Sequence, residues 1–212
     1  MDTSNIRWYG HDAFLVVSAE GKNIYFDPYQ LPNNTPKADL ILISHEHFDH
    51  CSPEDIEKII KTDTVIIGST QAADALKQKI NTVKPGDTKN FDSIKVSVVP
   101  AYNINKFREP NLPFHPPGDN KVGFVVNVDN ITYYHAGDTD HISEMESLNV
   151  DIAFLPVSGT YVMTAREAAE AANTFKPKLV IPMHYGSIVG SVEDANKFKE
   201  LTSVEVKILE KS

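Results

Sequence analysis

The run from Leu40 to Pro53 constrains the fold more than any other part of the chain. Leu40-Ile41-Leu42-Ile43 is apolar without alternation, which is typical of a strand buried on both faces and covered by helices or a second sheet. Three histidines, a glutamate and an aspartate follow, as His45-Glu46-His47-Phe48-Asp49-His50. Ser52-Pro53 then supplies a helix cap and a first-turn proline. The sequence therefore predicts a polar turn that joins a buried strand to a helix.

Short runs of β-branched residues recur along the chain and predict a layered α/β or α+β arrangement in which strands alternate with helices. Helix start signals stand at Ser52-Pro53 and in the capping box Thr164-Ala165-Arg166-Glu167, and further helices are predicted near 70–79 and 192–201. We expect all 212 residues to form one domain. The predicted strands lie near 5–9, 12–18, 22–27, 39–44, 64–68, 94–100, 122–128, 131–136, 151–155, 178–182 and 204–208.

Composition narrows the range of functions. The formal charge of −9 disfavours a polyanionic partner, so we expect a small-molecule substrate rather than nucleic acid, while the oligomeric state stays open. The single cysteine, Cys51, allows no intrachain disulfide and is compatible with a reducing compartment. The N-terminal residues show no signal peptide and no apolar run is long enough to span a bilayer, so a cytoplasmic protein without membrane contact is expected.

The histidine-rich turn has the donors of a metal site. Imidazole nitrogen and carboxylate oxygen together suit zinc, manganese or iron. His45 and His47 are two residues apart, so in extended backbone they project to the same side. Asp49 and His50 follow where the chain turns toward the helix, so they can face a second ion beside the first.

Two later strand ends offer closing ligands. Tyr133-Tyr134-His135-Ala136-Gly137-Asp138 is a strand that runs into a glycine turn and presents Asp138, and Ile181-Pro182-Met183-His184 presents His184 in the same way. Each alone is weak, because aspartate commonly forms turns. Together with the first motif they supply a bridging carboxylate and a final imidazole. Asp27, at the end of an earlier strand, suits orienting a ligand histidine.

In this order, an early strand-end aspartate, H-x-H-x-D-H, G-D-T and a late histidine resemble the metallo-β-lactamase superfamily. The narrower likeness is to the L-ascorbate-6-phosphate lactonase-like and NAPE-hydrolysing-phospholipase-like branch. It is carried by Gly10-His11, Asp27-Pro28, His135–Thr139 and Pro182-Met183-His184. The resemblance implies an α+β fold, an αββα four-layer sandwich, with one or two divalent metal ions, commonly zinc and otherwise manganese or iron. The expected ligands are His45, His47, Asp138 and His184 for the first ion, and Asp49, His50, Asp138 and optionally His184 for the second.

The sequence departs from that pattern at Asn103. The superfamily usually has a further histidine after the middle strand, where this chain reads Pro100-Ala101-Tyr102-Asn103. Either the site is weaker there, or His115 replaces the ligand from the proline-rich segment 101–121. Substrate contact and plain surface exposure stay open for His115, and for the segment as a whole both a functional loop and a surface excursion stay open. His11 and Tyr161 are further candidates for substrate or supporting contacts.

These residues point to hydrolysis. Divalent ions acidify a water into an available nucleophile that attacks a carbonyl carbon or a phosphorus, and Asp49 orients it or passes on a proton. The expected substrate is an ester, lactone or phosphodiester of a small anionic molecule. The alternatives are a nuclease-type phosphodiesterase and a non-hydrolytic metal or redox protein.

Overall fold

Two β-sheets lie face to face between two layers of helices in the computed structural model, which describes residues 1–212. The first sheet has six strands that neighbour one another in chain order. They are β1 (Ile6–Gly10), β2 (Ala13–Val17), β3 (Asn23–Phe26), β4 (Leu40–Ile43), β5 (Val65–Gly68) and β6 (Asn81–Thr82).

The second sheet has seven strands, and a separate two-stranded hairpin stands beside the sheets. The sheet strands are β7 (Thr88–Phe91), β8 (Ile94–Pro100), β11 (Val122–Val128), β12 (Ile131–His135), β13 (Ile152–Pro156), β14 (Leu179–Met183) and β15 (Glu205–Val206), in the order β15-β14-β13-β12-β11-β8-β7. The hairpin consists of β9 (Phe107–Glu109) and β10 (Leu112–Pro113).

Four α-helices and two 3₁₀ turns complete the fold. Ser52 caps the first helix by accepting a hydrogen bond from the Asp55 N–H, and Thr164 and Glu167 form a full capping box on the third. The helices are α1 (Pro53–Ile59), α2 (Thr70–Ala75), α3 (Ala165–Phe175) and α4 (Val192–Leu201), and the 3₁₀ turns are Pro117–Asp119 and Ser143–Ser147. No helix is long and apolar enough to cross a membrane.

Strand β4 is buried on both faces, as its unbroken apolar run predicts. Leu40 and Leu42 join the core between the two sheets, whereas Ile41 and Ile43 pack in a second cluster with residues of α1. Across the sheets, the Phe14 and Phe154 rings stack with centroids 4.2 Å apart. Truncating a buried phenylalanine of this kind costs about 3–5 kcal/mol of stability. The predicted α+β four-layer sandwich is confirmed.

The strands that carry the candidate residues end at one edge of the sandwich. In the first sheet, β1 and β3 both run antiparallel to β2, and β4 runs parallel to β3. In the second, β12, β13 and β14 are parallel, and β8 has the same direction because both β8 and β12 run antiparallel to β11. The carboxyl ends of these strands therefore place their following turns together.

All eleven predicted strands are present, with bounds that differ from the predicted ones by at most two residues. The short strands β6, β7, β9 and β10 were not predicted, because they are largely exposed and polar and lack the apolar pattern on which the prediction rests. Helix α2 ends at Ala75 rather than near residue 79, since Leu76 already has extended backbone and turns inward, 6% exposed.

Candidate metal centre

Six of the eight histidines converge at this edge, together with Asp49 and Asp138. The first cluster consists of His45, His47, His115 and Asp138, and its potential ligand atoms all lie within 4.8 Å of one another. His45 Nε2 and His47 Nδ1 are 3.0 Å apart. The two-residue spacing of these histidines thus directs both rings to the same point, as the sequence predicts.

The second cluster, His11, Asp49, His50 and His184, meets the same 4.8 Å criterion. His11 Nε2 lies 2.9 Å from Asp49 Oδ2, and the His11 ring packs on the His184 ring with centroids 4.2 Å apart. Every member except Asp49 is buried. Four donors from three separate turns therefore face one another.

The Asp138 carboxylate lies between the two clusters and turns one oxygen to each. Its Oδ1 is 3.3 Å from both His50 Nε2 and His184 Nε2. Its Oδ2 is 3.4 Å from His115 Nε2 and 3.8 Å from His45 Nε2. Gly137 makes this position possible: it has φ +62°, and a Cβ there would meet the Val122 carbonyl at 2.9 Å.

Hydrogen bonds at the far nitrogen fix the tautomers of the first sheet's histidines. Asp27 Oδ2 accepts from His50 Nδ1 at 2.8 Å and from Ser44 Oγ at 2.6 Å. Because the Ser44 hydroxyl proton goes to Asp27, its oxygen accepts from His45 Nδ1 at 2.9 Å. In both rings Nδ1 is therefore the donor, and Nε2 is the nitrogen that faces Asp138.

The histidines of the second sheet are held in the same way. His115 Nδ1 donates to Asn103 Oδ1 at 2.9 Å. Ser158 Oγ donates to the Thr160 carbonyl and so accepts from His184 Nδ1, 2.9 Å away. With Nδ1 as the donor, the Nε2 of each ring faces Asp138, and in the neutral ring it carries the lone pair that binds a metal ion.

Buried atoms without a protein partner show that the residues fit metal ions. His50 Nε2, His115 Nε2 and Asp138 Oδ1 are buried and make no hydrogen bond. Leaving such groups unsatisfied costs about 1–3 kcal/mol each, and more for a charged group. A nitrogen lone pair facing a carboxylate oxygen is repulsive, and a cation between them removes the repulsion. Nitrogen and carboxylate donors are ligands of zinc and other transition metals.

Comparison with known proteins agrees with this geometry. A family model described as the beta-lactamase superfamily domain matches residues 5–184. The chain belongs to the metallo-β-lactamase superfamily of hydrolases. A metal-dependent hydrolase of Thermococcus kodakarensis is 32% identical, with 96% of this chain and 94% of the relative covered. The resemblance to the superfamily and the enzyme class, a metal-dependent hydrolase, are thereby confirmed.

Two solved structures share the fold of this superfamily member. A candidate metal-dependent hydrolase from Parabacteroides distasonis is 35% identical, with TM-score 0.84 over 96% of this chain and 91% of its own. A metallo hydrolase from the archaeon Ignicoccus hospitalis has TM-score 0.77 at 23% identity, over 98% of this chain and 95% of its own. The second likeness concerns the fold alone.

His184 lies with Asp49 and His50, the second of the two sets in which it was expected, and not with His45 and His47. His115 takes the place beside His45 and His47 that Asn103 leaves open, which is one of the alternatives that the sequence offers. The physical reason is the side from which each turn arrives. His184 follows β14 and packs on His11 of the first sheet, whereas segment 101–121 folds back over the cluster and buries His115 to 1% exposure.

Asn103 lies behind the cluster rather than in it. Its backbone N–H donates to the His115 carbonyl, and its side-chain oxygen accepts from both the His115 N–H and Nδ1. Its amide nitrogen donates to Asp140 Oδ1 and to the Tyr161 carbonyl. With both polar atoms of its side chain engaged, Asn103 orients His115. The segment is therefore more than a surface excursion.

Burial and neighbouring charges shift the pKa values of these groups in different directions. Burial opposes protonation of His50 and His184, but the nearby carboxylates, Asp138 first, raise the pKa of both rings, so metal binding there would release protons. Burial lowers the pKa of His115 to about 4, against the opposing effect of Asp138, so its ring is neutral at pH 7. Burial opposes ionisation of Asp49, but the hydrogen bond from His11 and the proximity of His50 lower its pKa to about 2. Asp49 is therefore a carboxylate at any ordinary pH.

The remaining sequence candidates lie where they can support the clusters. His11, Asp27 and His184 all have positive φ, between 41° and 59°. Such backbone conformations cost on the order of 1–3 kcal/mol per residue and concentrate at functional sites.

Tyr161 lines the open cavity in front of the clusters and is 41% exposed. Ser44 and Ser158 were missed by sequence reasoning, since nothing local marks a serine as the acceptor of a ligand histidine.

Glu46, between His45 and His47 in the chain, forms an ion pair with a buried lysine. Its Oε1 accepts from Lys121 Nζ at 2.7 Å, and Lys121 is 3% exposed. This pair ties the histidine-rich turn to the start of β11. The Glu46 side chain is thereby engaged outside both clusters.

Proposed function

We propose that this hydrolase binds two divalent metal ions, zinc first, and cleaves an ester, lactone or phosphodiester bond in a small anionic molecule. The observation that carries the proposal is the meeting of two histidine clusters at Asp138. Four Nε2 atoms, those of His45, His50, His115 and His184, lie within 3.8 Å of its carboxylate oxygens. A site that holds a single structural ion needs only about four ligands. A second set of ligands at the same point therefore favours a site for two ions.

The ligand sets follow from the clusters. His45, His47, His115 and Asp138 would hold one ion. Asp49, His50 and His184 would hold the other together with Asp138, whose Oδ1 is 3.3 Å from both histidines. Divalent ions bound there lower the pKa of a coordinated water from about 15.7 toward about 7 and stabilise negative charge that develops on substrate oxygen.

Asp49 and His11 have roles of their own. Asp49 is the only member of its cluster that reaches the open cavity, so its carboxylate can accept a proton from a water there or pass one to a leaving group. His11 is buried and holds Asp49 Oδ2 at 2.9 Å. We assign His11 to positioning that carboxylate, because the hydrogen bond fixes which oxygen of Asp49 stays free.

The charge distribution supports a small molecule over a nucleic acid. The chain has 29 acidic and 20 basic residues, and the cavity in front of the clusters includes a single cationic side chain, Arg108. A groove that follows a phosphate backbone needs several cations in a row. Salt-sensitive RNA binding would instead favour the nuclease alternative.

The test combines elemental analysis with an activity panel. The purified protein is expected to carry two ions, with zinc predominant, and to hydrolyse esters, lactones or phosphodiesters only when loaded. His47→Ala and Asp49→Ala should lose most of this activity and keep the fold, as judged by circular dichroism and thermal unfolding. His141→Ala is the matched control, since His141 lies in neither cluster.

Two results would contradict the proposal. Retained hydrolysis in His47→Ala or Asp49→Ala, with wild-type metal content, would remove these residues from the chemistry. Iron with an oxygen-dependent spectral change and no hydrolytic turnover would instead indicate the redox alternative.

A further inference from the structure

We propose that the substrate is a carboxylic ester or lactone that bears an apolar ring and a distal carboxylate. The ring would pack on the aromatic wall of the cavity, formed by Phe114 and Tyr161, and the carboxylate would bind Arg108. The inference narrows the proposed function and rests on it. Three features carry it: the apolar lining of the cavity, a guanidinium in that lining without a carboxylate partner, and the anchoring of the segment that supplies Arg108 and Phe114.

The cavity in front of the metal centre has a volume of about 360 Å³, within the lower part of the range typical of ligand sites. Phe114 and Tyr161 meet edge to face along one side, with ring centroids 4.6 Å apart, and Phe48 and Ile188 also line it. Phe48 is 66% exposed. Large apolar side chains exposed together at a reactive site indicate a ligand with apolar surface to bury.

Arg108 is the cation of this cavity. Its Nη2 donates to the Phe114 carbonyl at 2.8 Å, and its guanidinium lies 5.8 Å from the centre of the Phe114 ring. No carboxylate of the protein pairs with it, although the chain is strongly acidic. The remaining N–H groups form a planar fork that matches a carboxylate.

The segment that carries Arg108 and Phe114 is fixed to the core. Asp140 is fully buried and accepts from the Ile104 N–H at 2.7 Å and the Asn105 N–H at 2.9 Å. Lys106 pairs with Glu167 of α3 at 2.8 Å. The aromatic wall and the guanidinium are thus held in place before a ligand arrives. This reduces the conformational entropy that is lost on binding.

A carboxylate suits this site better than a phosphate monoester. The Arg108 guanidinium, which already donates one N–H to the Phe114 carbonyl, offers a single positive charge. A phosphate monoester carries nearly two negative charges at pH 7. In the reaction, the oxygen of water bonds to the acyl carbon and the acyl C–O bond breaks. Its electron pair goes to the leaving oxygen, which takes a proton, so water and ester give an acid and an alcohol.

Matched chromogenic esters test whether the enzyme prefers a substrate with a carboxylate. The zinc-loaded enzyme is given 4-nitrophenyl 4-carboxyphenylacetate, its 4-carbamoyl analogue and 4-nitrophenyl acetate, which lacks both ring and charge. The wild type should prefer the carboxylate over the carbamoyl ester by about 10- to 100-fold in kcat/KM, the effect expected of a charge-assisted hydrogen bond. The carbamoyl ester should still exceed the acetate, because its ring contacts the aromatic wall.

The variant Arg108→Gln should bring the ratio of carboxylate to carbamoyl ester close to one. Arg166→Gln, which removes an exposed arginine of α3, should leave the ratio at its wild-type value. A wild-type ratio near one, or a ratio that Arg108→Gln does not change, would overturn the carboxylate assignment. A faster reaction with the acetate than with the carbamoyl ester would overturn the apolar assignment.

A binding measurement separates this inference from the proposed function. 4-(Benzyloxy)benzoate has an ether in place of the ester and cannot be hydrolysed. Calorimetry should show it to bind the wild type at least 10-fold more tightly than its carboxamide, and Arg108→Gln should abolish the difference. If no ester or phosphodiester is hydrolysed, the proposed function fails, and this difference alone then decides whether Arg108 binds a carboxylate.

Discussion

Asn103 Oδ1 accepts a hydrogen bond from His115 Nδ1 at 2.9 Å. The bond directs His115 Nε2 to Asp138 Oδ2, 3.4 Å away. Asn103 stands where the superfamily pattern usually has a ligand histidine, so the chain completes the cluster with a histidine twelve residues further along. The ligand and its orienting residue are thus separated by a hairpin that also forms the cavity wall.

Asn103→Ala should weaken one metal site by about 10- to 100-fold, the usual effect of losing a residue that orients a ligand histidine. His115→Ala should weaken the same site further, because the donor itself is lost. Competition with a chelating dye measures both. Asn127→Ala, on β11 away from the clusters, is the control, and an Asn103→Ala affinity equal to that of the control would refute the orienting role.

His184→Ala and His115→Ala should each remove one ion, and the double variant should remove both, because the two histidines lie in different clusters. Metal content per chain, measured by mass spectrometry after gel filtration, distinguishes the arrangements. If both histidines held the same ion, the double variant would keep one ion. That result would restore the ligand set inferred from the superfamily pattern.

Glu167→Gln should reduce the loss in free energy of unfolding that accompanies a fall in pH. Burial opposes ionisation of Glu167, but hydrogen bonds from Lys106, Thr164 and Asn105 lower its pKa to about 2. Since the folded pKa lies below the unfolded one, the contribution is present above pH ~4.5 and is lost as the pH falls toward ~2. Its size is on the order of 1 kcal/mol, because the group is partly exposed and screened.

Urea unfolding at pH 7 and pH 3 measures this effect. The variant should be less stable than the wild type at pH 7, and the two should approach each other at pH 3. Glutamine preserves the capping interaction with Thr164, so the helix itself is retained. Glu170→Gln, one turn further along the exposed face of α3, should show no such dependence, and a pH-independent difference for Glu167→Gln would contradict the assignment.

The sequence predicts well where local pattern decides the structure. Leu40–Ile43 needs burial on both faces, and the spacing of His45 and His47 directs both rings one way, so the strand and the turn follow from nearby residues alone. Asp138 and His184 could also be found, because each follows a strand that ends at the shared edge.

Assigning each ligand to a cluster requires information that local pattern lacks. The side from which His184 enters depends on its packing against His11, more than 170 residues away. The burial of His115 depends on how segment 101–121 folds back, which Asp140 fixes through backbone N–H groups of Ile104 and Asn105. Neither contact leaves a periodic signal. For that reason, the sequence of a proline-rich segment of this length predicts only an exposed loop.

Anomalous scattering from crystals of the zinc-loaded protein, recorded on both sides of the zinc absorption edge, locates the ions directly. Two peaks are expected, on opposite sides of the Asp138 carboxylate. One should be bounded by His45 Nε2, His47 Nδ1 and His115 Nε2, and the other by Asp49, His50 Nε2 and His184 Nε2. A single peak that His184 shares with His45 and His47, or the absence of any peak within reach of Asp138, would contradict this arrangement.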